Sequence, residues 1–242
     1  MVESRGLDVA GLTRRFGTRT VVDGLTFTAA AGTVTGLLGP NGCGKSTTMK
    51  LLAGALVASD GHAWFDGAPL GVNEIGTKAL TGFVPDVGGL FPRLTGHEHL
   101  ELAARLYQLR DWEARADELL ELLDLSRSAH ERAGTYSHGM SRKLSAAIAL
   151  LPPTRLLLLD EPFDGVDATG IDTLAALFRA RAEEGACVLV TTHLLGVAET
   201  LCDTVHLMFE GKLRVEISGA GLPDLATTYR EVLGVAREDY GR

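Results

Sequence analysis

Eight consecutive residues, Gly39-Pro40-Asn41-Gly42-Cys43-Gly44-Lys45-Ser46, match the phosphate-cradling pattern G-x-x-x-x-G-K-[ST] at every fixed position. Small residues let successive backbone N–H groups turn toward phosphate oxygens, and a helix that follows adds the positive end of its dipole. In that pattern Lys45 sits on the β- and γ-phosphates and the Ser46 hydroxyl on Mg²⁺. Cys43 lies among these N–H donors and beside Lys45, surroundings expected to favour its thiolate. The second chemical signal is a run of four leucines, Leu156 to Leu159, leading into Asp160-Glu161. A buried strand ending in paired acids is costly without a cation, because uncompensated buried charge is penalised. Asp160 suits a hydrated Mg²⁺, and Glu161, one residue beyond the strand, suits polarisation of an attacking water.

Such a loop needs a strand before it and a helix after it. Thr33 to Leu38 reads as that strand and Ser46 to Gly54 as that helix. Upstream, Leu7 to Leu12 and Val21 to Ala29 carry β-branched residues broken by turn signals at Gly17 and Asp23-Gly24, the pattern of an antiparallel sheet. His62 to Phe65 meets a turn at Asp66-Gly67, and Gly82 to Val84 is a short strand closed by Pro85. From about 95 to 151 the period changes to 3.6. Thr95 and Glu98 form a capping-box pair, Leu100, Ala103, Ala104 and Tyr107 share one face, and Ala116, Leu119, Leu120 and Leu123 form a second stripe. A third helix runs from about Met140 to Leu151 and stops at Pro152-Pro153. Leu156 to Leu159 and Cys187 to Thr191 are continuous apolar strands separated by a helix near Asp172 to Glu183, which implies a parallel sheet buried on both faces. Val205 to Phe209 and Lys212 to Ile217 form a hairpin turning at Glu210-Gly211, and only a short tail, about 218–242, remains.

Composition narrows the function classes. With 242 residues, 45% hydrophobic and 22% charged, the chain is an ordinary globular protein with enough length for a sizeable core. Its 23 Lys+Arg against 31 Asp+Glu give a net charge of −8, the wrong sign for an electrostatic footprint on nucleic acid, so no nucleic-acid partner is expected. No apolar run approaches the roughly 18 residues of a transmembrane helix. The opening MVESRGLDVAGL lacks the apolar segment of a signal peptide, and three cysteines in no metal-ligand spacing fit a reducing cytosolic compartment.

Beyond the phosphate loop and the acid pair, several spaced motifs resemble those of the ATP-binding subunits of ABC transporters, most like the ABC-2-type exporter class. They run in the family's order from about Leu7 to about Leu233. Phe16-Gly17 resembles the position whose aromatic ring stacks on adenine. Tyr136-Ser137-His138-Gly139-Met140 resembles the signature loop, with Ser137 as helix N-cap and Gly139 in the first turn. Asp164-Gly165-Val166-Asp167 resembles the loop that crosses between subunits, and His193 the switch histidine that senses γ-phosphate. Four positions depart from the pattern: Asp86 stands where the family usually has glutamine, His138 and Met140 where glycine and glutamine are common, and Ala168 where proline often follows the crossing loop.

The resemblance implies an α/β P-loop NTPase fold, with a RecA-like parallel sheet core, an N-terminal antiparallel β subdomain and an inserted helical subdomain at about 87–151, all within one ATPase domain over 1–242. It implies ATP and Mg²⁺ as ligands. Phe16 would hold adenine, Asn41, Gly42, Cys43, Gly44, Lys45, Ser46 and Thr47 the phosphates, and Ser46, Asp86 and Asp160 the metal. Glu161 would be the general base, His193 the sensor, and Ser137 and Gly139 the donors to the opposite subunit's γ-phosphate. The expected partners are a second ATPase subunit, identical or different, and a separate transmembrane permease subunit, which places the chain at the cytoplasmic face of the membrane. A regulatory, weakly catalytic subunit and a soluble non-transport ATPase are the alternatives. A GTPase is disfavoured because no N-K-x-D string occurs.

Overall fold

A computed structural model describes residues 6–239; the first five and last three residues of the domain expected over 1–242 lie outside the described residues. In chain order its elements are β1 (Leu7–Phe16), β2 (Arg19–Ala29), β3 (Val34–Leu38), α1 (Lys45–Leu52), β4 (Asp60–Phe65), β5 (Ala68–Pro69), α2 (Ile75–Lys78) and β6 (Thr81–Val84). There follow α3 (Gly96–Leu106), α4 (Glu113–Leu122), α5 (His138–Leu150), β7 (Leu156–Asp160), α6 (Ala168–Glu183), β8 (Cys187–Thr192), α7 (Leu195–Leu201), β9 (Thr204–Phe209), β10 (Lys212–Ser218) and α8 (Leu225–Asp239). Two sheets form. One is antiparallel, in the order β2-β1-β4-β5; the other has the order β10-β9-β3-β8-β7-β6. In the second, β9, β3, β8, β7 and β6 are mutually parallel and β10 closes the edge antiparallel to β9.

The parallel sheet is apolar on both faces, as its continuous hydrophobic strands require. Along β7, Leu157 and Leu159 face the core shared with α3 to α7, whereas Leu156 and Leu158 face the core shared with α1 and the antiparallel sheet. Val188 and Val190 alternate with Cys187 and Leu189 in the same way along β8. The strand register sets the site: Asp160, the last residue of β7, lies beside Thr191 of β8, and the phosphate loop leaves the C-terminal end of β3 between β8 and β9. This is the edge at which parallel α/β sheets present ligand sites.

Local chemistry accounts for the helical block. Thr95 Oγ1 accepts from the Glu98 N–H at 3.1 Å while Glu98 accepts from the Thr95 N–H at 2.7 Å, so the expected capping box is complete and holds Glu98 below its ordinary range. Leu100, Ala103 and Ala104 of α3 and Ala116, Leu119 and Leu120 of α4 are buried against α5, which stops ahead of the double proline.

Several expectations need correction. Gly24 is not a turn: at φ 63 it sits inside β2, where the β1–β2 register shifts, and the strands are longer than the turn signals suggested because a bulge absorbs the glycine. The segment after β10 is a 3₁₀ turn, Gly219–Asp224, followed by α8, rather than a bare tail. The short elements β5, α2 and α7 carried too few periodic residues to be read, and α6 begins at Ala168, four residues before the expected start near Asp172.

Candidate functional site

The phosphate loop owes its path to glycine. Gly44, at φ 114, has no room for a side chain: a Cβ there would lie 2.6 Å from the Val21 carbonyl oxygen and 2.7 Å from the Met208 methyl. A Cβ at Gly39 would lie 2.1 Å from the Met208 carbonyl oxygen. The loop is thus pressed between β2 and β9, and α1 starts at Lys45 with no side-chain cap on its first N–H groups. Those donors are left for an anion. Lys45 is 6% exposed; its Nζ donates to the Gly39 carbonyl at 2.7 Å and lies 3.5 Å from Glu161 Oε1. A cavity of about 370 Å³ opens over the loop, walled by Phe16, Lys45, Ser46, Thr47, Asp86 and Glu161. Asn41, Gly42 and Gly44 line it as well.

The acid pair meets this loop directly. Asp160 is fully buried, and its Oδ1 accepts from Ser46 Oγ at 3.1 Å and from Thr191 Oγ1 at 2.8 Å. Its Oδ2 has no partner. Burial pushes the Asp160 carboxyl up, the two hydroxyls oppose that shift, and the charges of Asp86 and Glu161 add to it. A buried carboxylate with one satisfied and one orphaned oxygen, next to a serine hydroxyl, is a fit for a hard divalent cation. Glu161 follows at φ 48, a left-handed conformation unusual for a glutamate, with its N–H donating to Thr191 Oγ1 at 2.9 Å. This kink turns the side chain so that Oε1 faces Lys45 and Oε2 lies 3.0 Å from His193 Nδ1. Lys45, Ser46, Asp160, Glu161 and His193, distant in sequence, are therefore one connected cluster.

Other expected residues are placed apart from this cluster. Phe16 is 45% exposed at the cavity mouth, one face covered by the Arg14 guanidinium 4.5 Å from its centroid. Cys43 is buried, and burial raises its thiol above the ordinary value despite the lowering influence of Lys45, which overturns the expectation of a thiolate. Ser137 caps α5, accepting from the Met140 N–H at 3.2 Å, but neither it nor Gly139 lines the phosphate cavity. Gly139 and its helix neighbours meet residues 164–167: a Cβ on Gly139 would lie 2.6 Å from the Gly165 carbonyl oxygen, His138 Nε2 is 3.0 Å from Asp164, and Lys143 is 3.1 Å from Asp167. Asp86 lines the cavity but is tied to Arg142 at 2.8 Å. Sequence reading missed Thr191, Arg142 and Arg14. A threonine in register with Asp160 on the neighbouring parallel strand was the available signal for the first; nothing local marks the other two.

With this geometry in view, the comparisons with known proteins are decisive. The sequence profile of the family described as ABC transporter matches residues 22–164, more than half of the chain. The chain belongs to the ABC transporter family. It is 33% identical over 209 residues to the linearmycin resistance ATP-binding protein LnrL of Bacillus subtilis (strain 168), covering 86% of this chain and 67% of that one. It is 35% identical over 213 residues to the Nod factor export ATP-binding protein I of Rhizobium meliloti, covering 87% of this chain and 64% of that one. A solved ATP-binding subunit of an ABC transporter superposes with a TM-score of 0.85 at 29% identity, covering 93% of this chain and 99% of that one. The chain is an ATP-binding ABC transporter subunit and an ATPase. Among its described residues no helix is long and apolar enough to cross a membrane.

Proposed function

We propose that this ABC subunit powers an exporter: two ATPase subunits close around ATP and Mg²⁺, and hydrolysis separates them to move a transmembrane permease at the cytoplasmic face of the membrane. Residues 1–242 act as one ATPase unit with its helical subdomain at about 87–151. The observation that carries the reading is the Lys45–Glu161–His193 chain of contacts above the Ser46–Asp160 pair. The Nod factor relative, named for export, supports the direction of transport.

The residues divide the work. Phe16 offers its open face to adenine. The loop N–H groups and Lys45 hold the phosphates, and Ser46 and Asp160, with Asp86 through water, hold Mg²⁺. Bound Mg²⁺ neutralises phosphate charge. His193 holds Oε2 of Glu161, and Oε1, 3.5 Å from Lys45, takes the proton of the attacking water once Lys45 turns to the phosphates. His193, on the loop after β8, reports γ-phosphate through that same contact. Ser137 and Gly139, which do not line the phosphate cavity of their own subunit, are assigned as donors to the nucleotide of an opposite subunit.

The test is Lys45→Ala. Removing the one buried cation of the loop is expected to weaken ATP binding about 100-fold and to abolish turnover, measured on the purified chain and on the chain copurified from membranes with its permease. Parental affinity and turnover in that variant would remove the phosphate assignment.

A further inference from the structure

Where the family usually carries a neutral glutamine, this chain carries Asp86, and the structure answers that extra charge with a second one. Asp86 follows β6 and lines two cavities at once, the phosphate cavity and a neighbouring one of about 230 Å³ against α5. Arg142, on the second turn of α5, is 5% exposed. Its Nη1 donates to the Pro85 carbonyl and its Nη2 to Asp86 Oδ1, each at 2.8 Å, and its Nε has no partner. One planar guanidinium thus grips both the backbone and the side chain of the β6 exit, which a lysine ammonium on a flexible stem could not do in the same geometry. Asp86 is far less buried than its partner, with 37% of its side chain exposed against 6% for Arg142.

Charge explains why such a grip matters. Asp86 and Glu161 line one cavity, Asp160 is buried next to it against Ser46 of the cavity wall, and Lys45 is the buried cation already committed to Glu161 and the loop carbonyls. A free third carboxylate would turn toward any divalent cation held by Ser46 and Asp160 and compete as a direct ligand. A carboxylate pinned at Oδ1 and neutralised from outside the cavity cannot do so; it keeps one oxygen for a water-mediated contact.

We propose that Arg142 is a positioning residue for the metal–nucleotide site, holding and neutralising Asp86 so that the pair works as a single unit anchored to α5 in place of the family's glutamine. The proposal rests on the metal-facing role given to Asp86 above. It makes the charge at position 86 and the charge at position 142 interdependent.

The experiment measures Mn²⁺ affinity by electron paramagnetic resonance in the full chain saturated with a non-hydrolysable ATP analogue, with thermal unfolding of each variant as a second readout. Asp86→Asn is expected to weaken Mn²⁺ binding about threefold. Arg142→Gln is expected to tighten it about threefold or more, because Asp86 is released toward the metal, and the same substitution made in Asp86→Asn is expected to change it less than about twofold. Arg142→Lys, which keeps charge and bulk, is expected to fold like the parent and fall between the parent and Arg142→Gln. An Arg142→Gln chain that loses thermal stability with Mn²⁺ affinity unmoved would make Arg142 a packing residue only and overturn the proposal. So would an Mn²⁺ shift of equal size in both backgrounds, since Arg142 would then act without Asp86. If Asp86→Asn leaves Mn²⁺ affinity at the parental value, the metal-facing reading of Asp86 falls first and the role of Arg142 with it.

Discussion

The end of β7 and the start of α5 both gather polar side chains, yet they hold them in opposite ways. Asp160 is fully buried with one oxygen unpartnered, and Glu161 beside it occupies φ 48. His138 and Asp164 instead meet in the open at 3.0 Å, with side chains 58% and 49% exposed. The first region stores electrostatic and backbone cost inside the folded chain, a cost that the proposed cation and phosphates would relieve; strain of this kind persists only where the surroundings over-determine it. The second stores almost nothing, because exposed ion pairs are screened and worth little. Substitutions in the first region should therefore move stability and chemistry in opposite directions, while those in the second should leave the isolated subunit nearly unchanged.

Asp160→Asn gives the largest separation. It removes a carboxylate whose ionisation is penalised by burial, so the Mg²⁺-free variant is expected to melt about 3 °C or more above the parent at neutral pH while its turnover falls about 100-fold or more. The sign follows from the raised folded pKa of Asp160: its ionisation destabilises the folded chain as pH rises through that value, and the difference from Asp160→Asn narrows toward acid. Calorimetry from pH 4.5 to 8 with parallel phosphate-release assays checks both halves. A variant less stable than the parent at neutral pH would break the contrast.

A buried group outside the site sharpens it. His206 of β9 is 2% exposed, packs against Phe27 with ring centroids 5.1 Å apart, and has no partner at Nε2. Burial holds its pKa below the ordinary imidazole value, partly opposed by Glu216 and the Thr28 backbone. The stability this gives is present above the ordinary value and is lost as pH falls through the lowered one. Cooling of the melting point between pH 7.5 and 5.5 is expected to be about 2 °C larger in the parent than in His206→Leu, with turnover at pH 7.5 unaltered. An identical acid loss in both chains would show that His206 is not titrating.

The smallest effect belongs to the signature region. His138→Ala cuts an exposed pair, and its melting point is expected to stay within about 2 °C of the parent. A larger drop would mean that the contact between α5 and the crossing loop contributes to the fold of the single subunit, and the two regions would no longer differ in kind.

How much of this was legible in the sequence follows the same division. Lys45, Ser46, Asp160 and Glu161 declared themselves because their chemistry demands fixed neighbours: small residues before the lysine, an apolar strand before the acids. His193 and Phe16 needed the family's motif order, since a lone histidine or aromatic carries little information. Arg142 and Thr191 were invisible for a physical reason, as their roles are set by register and packing between segments 30 or more positions apart, Thr191 from Glu161 and Arg142 from Asp86. Cys43 was misread because sequence shows its neighbour Lys45 but not the burial that outweighs it. In the fold, long periodic helices and both-face apolar strands are legible, whereas the bulge at Gly24 depends on tertiary partners that the local pattern does not encode, and the amphipathic period of α8 was overlooked.

In the proposed function, Glu161 takes the proton of the attacking water within a pair of subunits closed around ATP. Analytical ultracentrifugation of Glu161→Gln with Mg²⁺ and ATP, alongside its hydrolysis rate, tests this most directly. Hydrolysis is expected to slow by about 10² to 10⁴, and a dimer to accumulate with ATP but not with ADP, because contacts from both subunits persist when cleavage is blocked. Hydrolysis at the parental rate would contradict it.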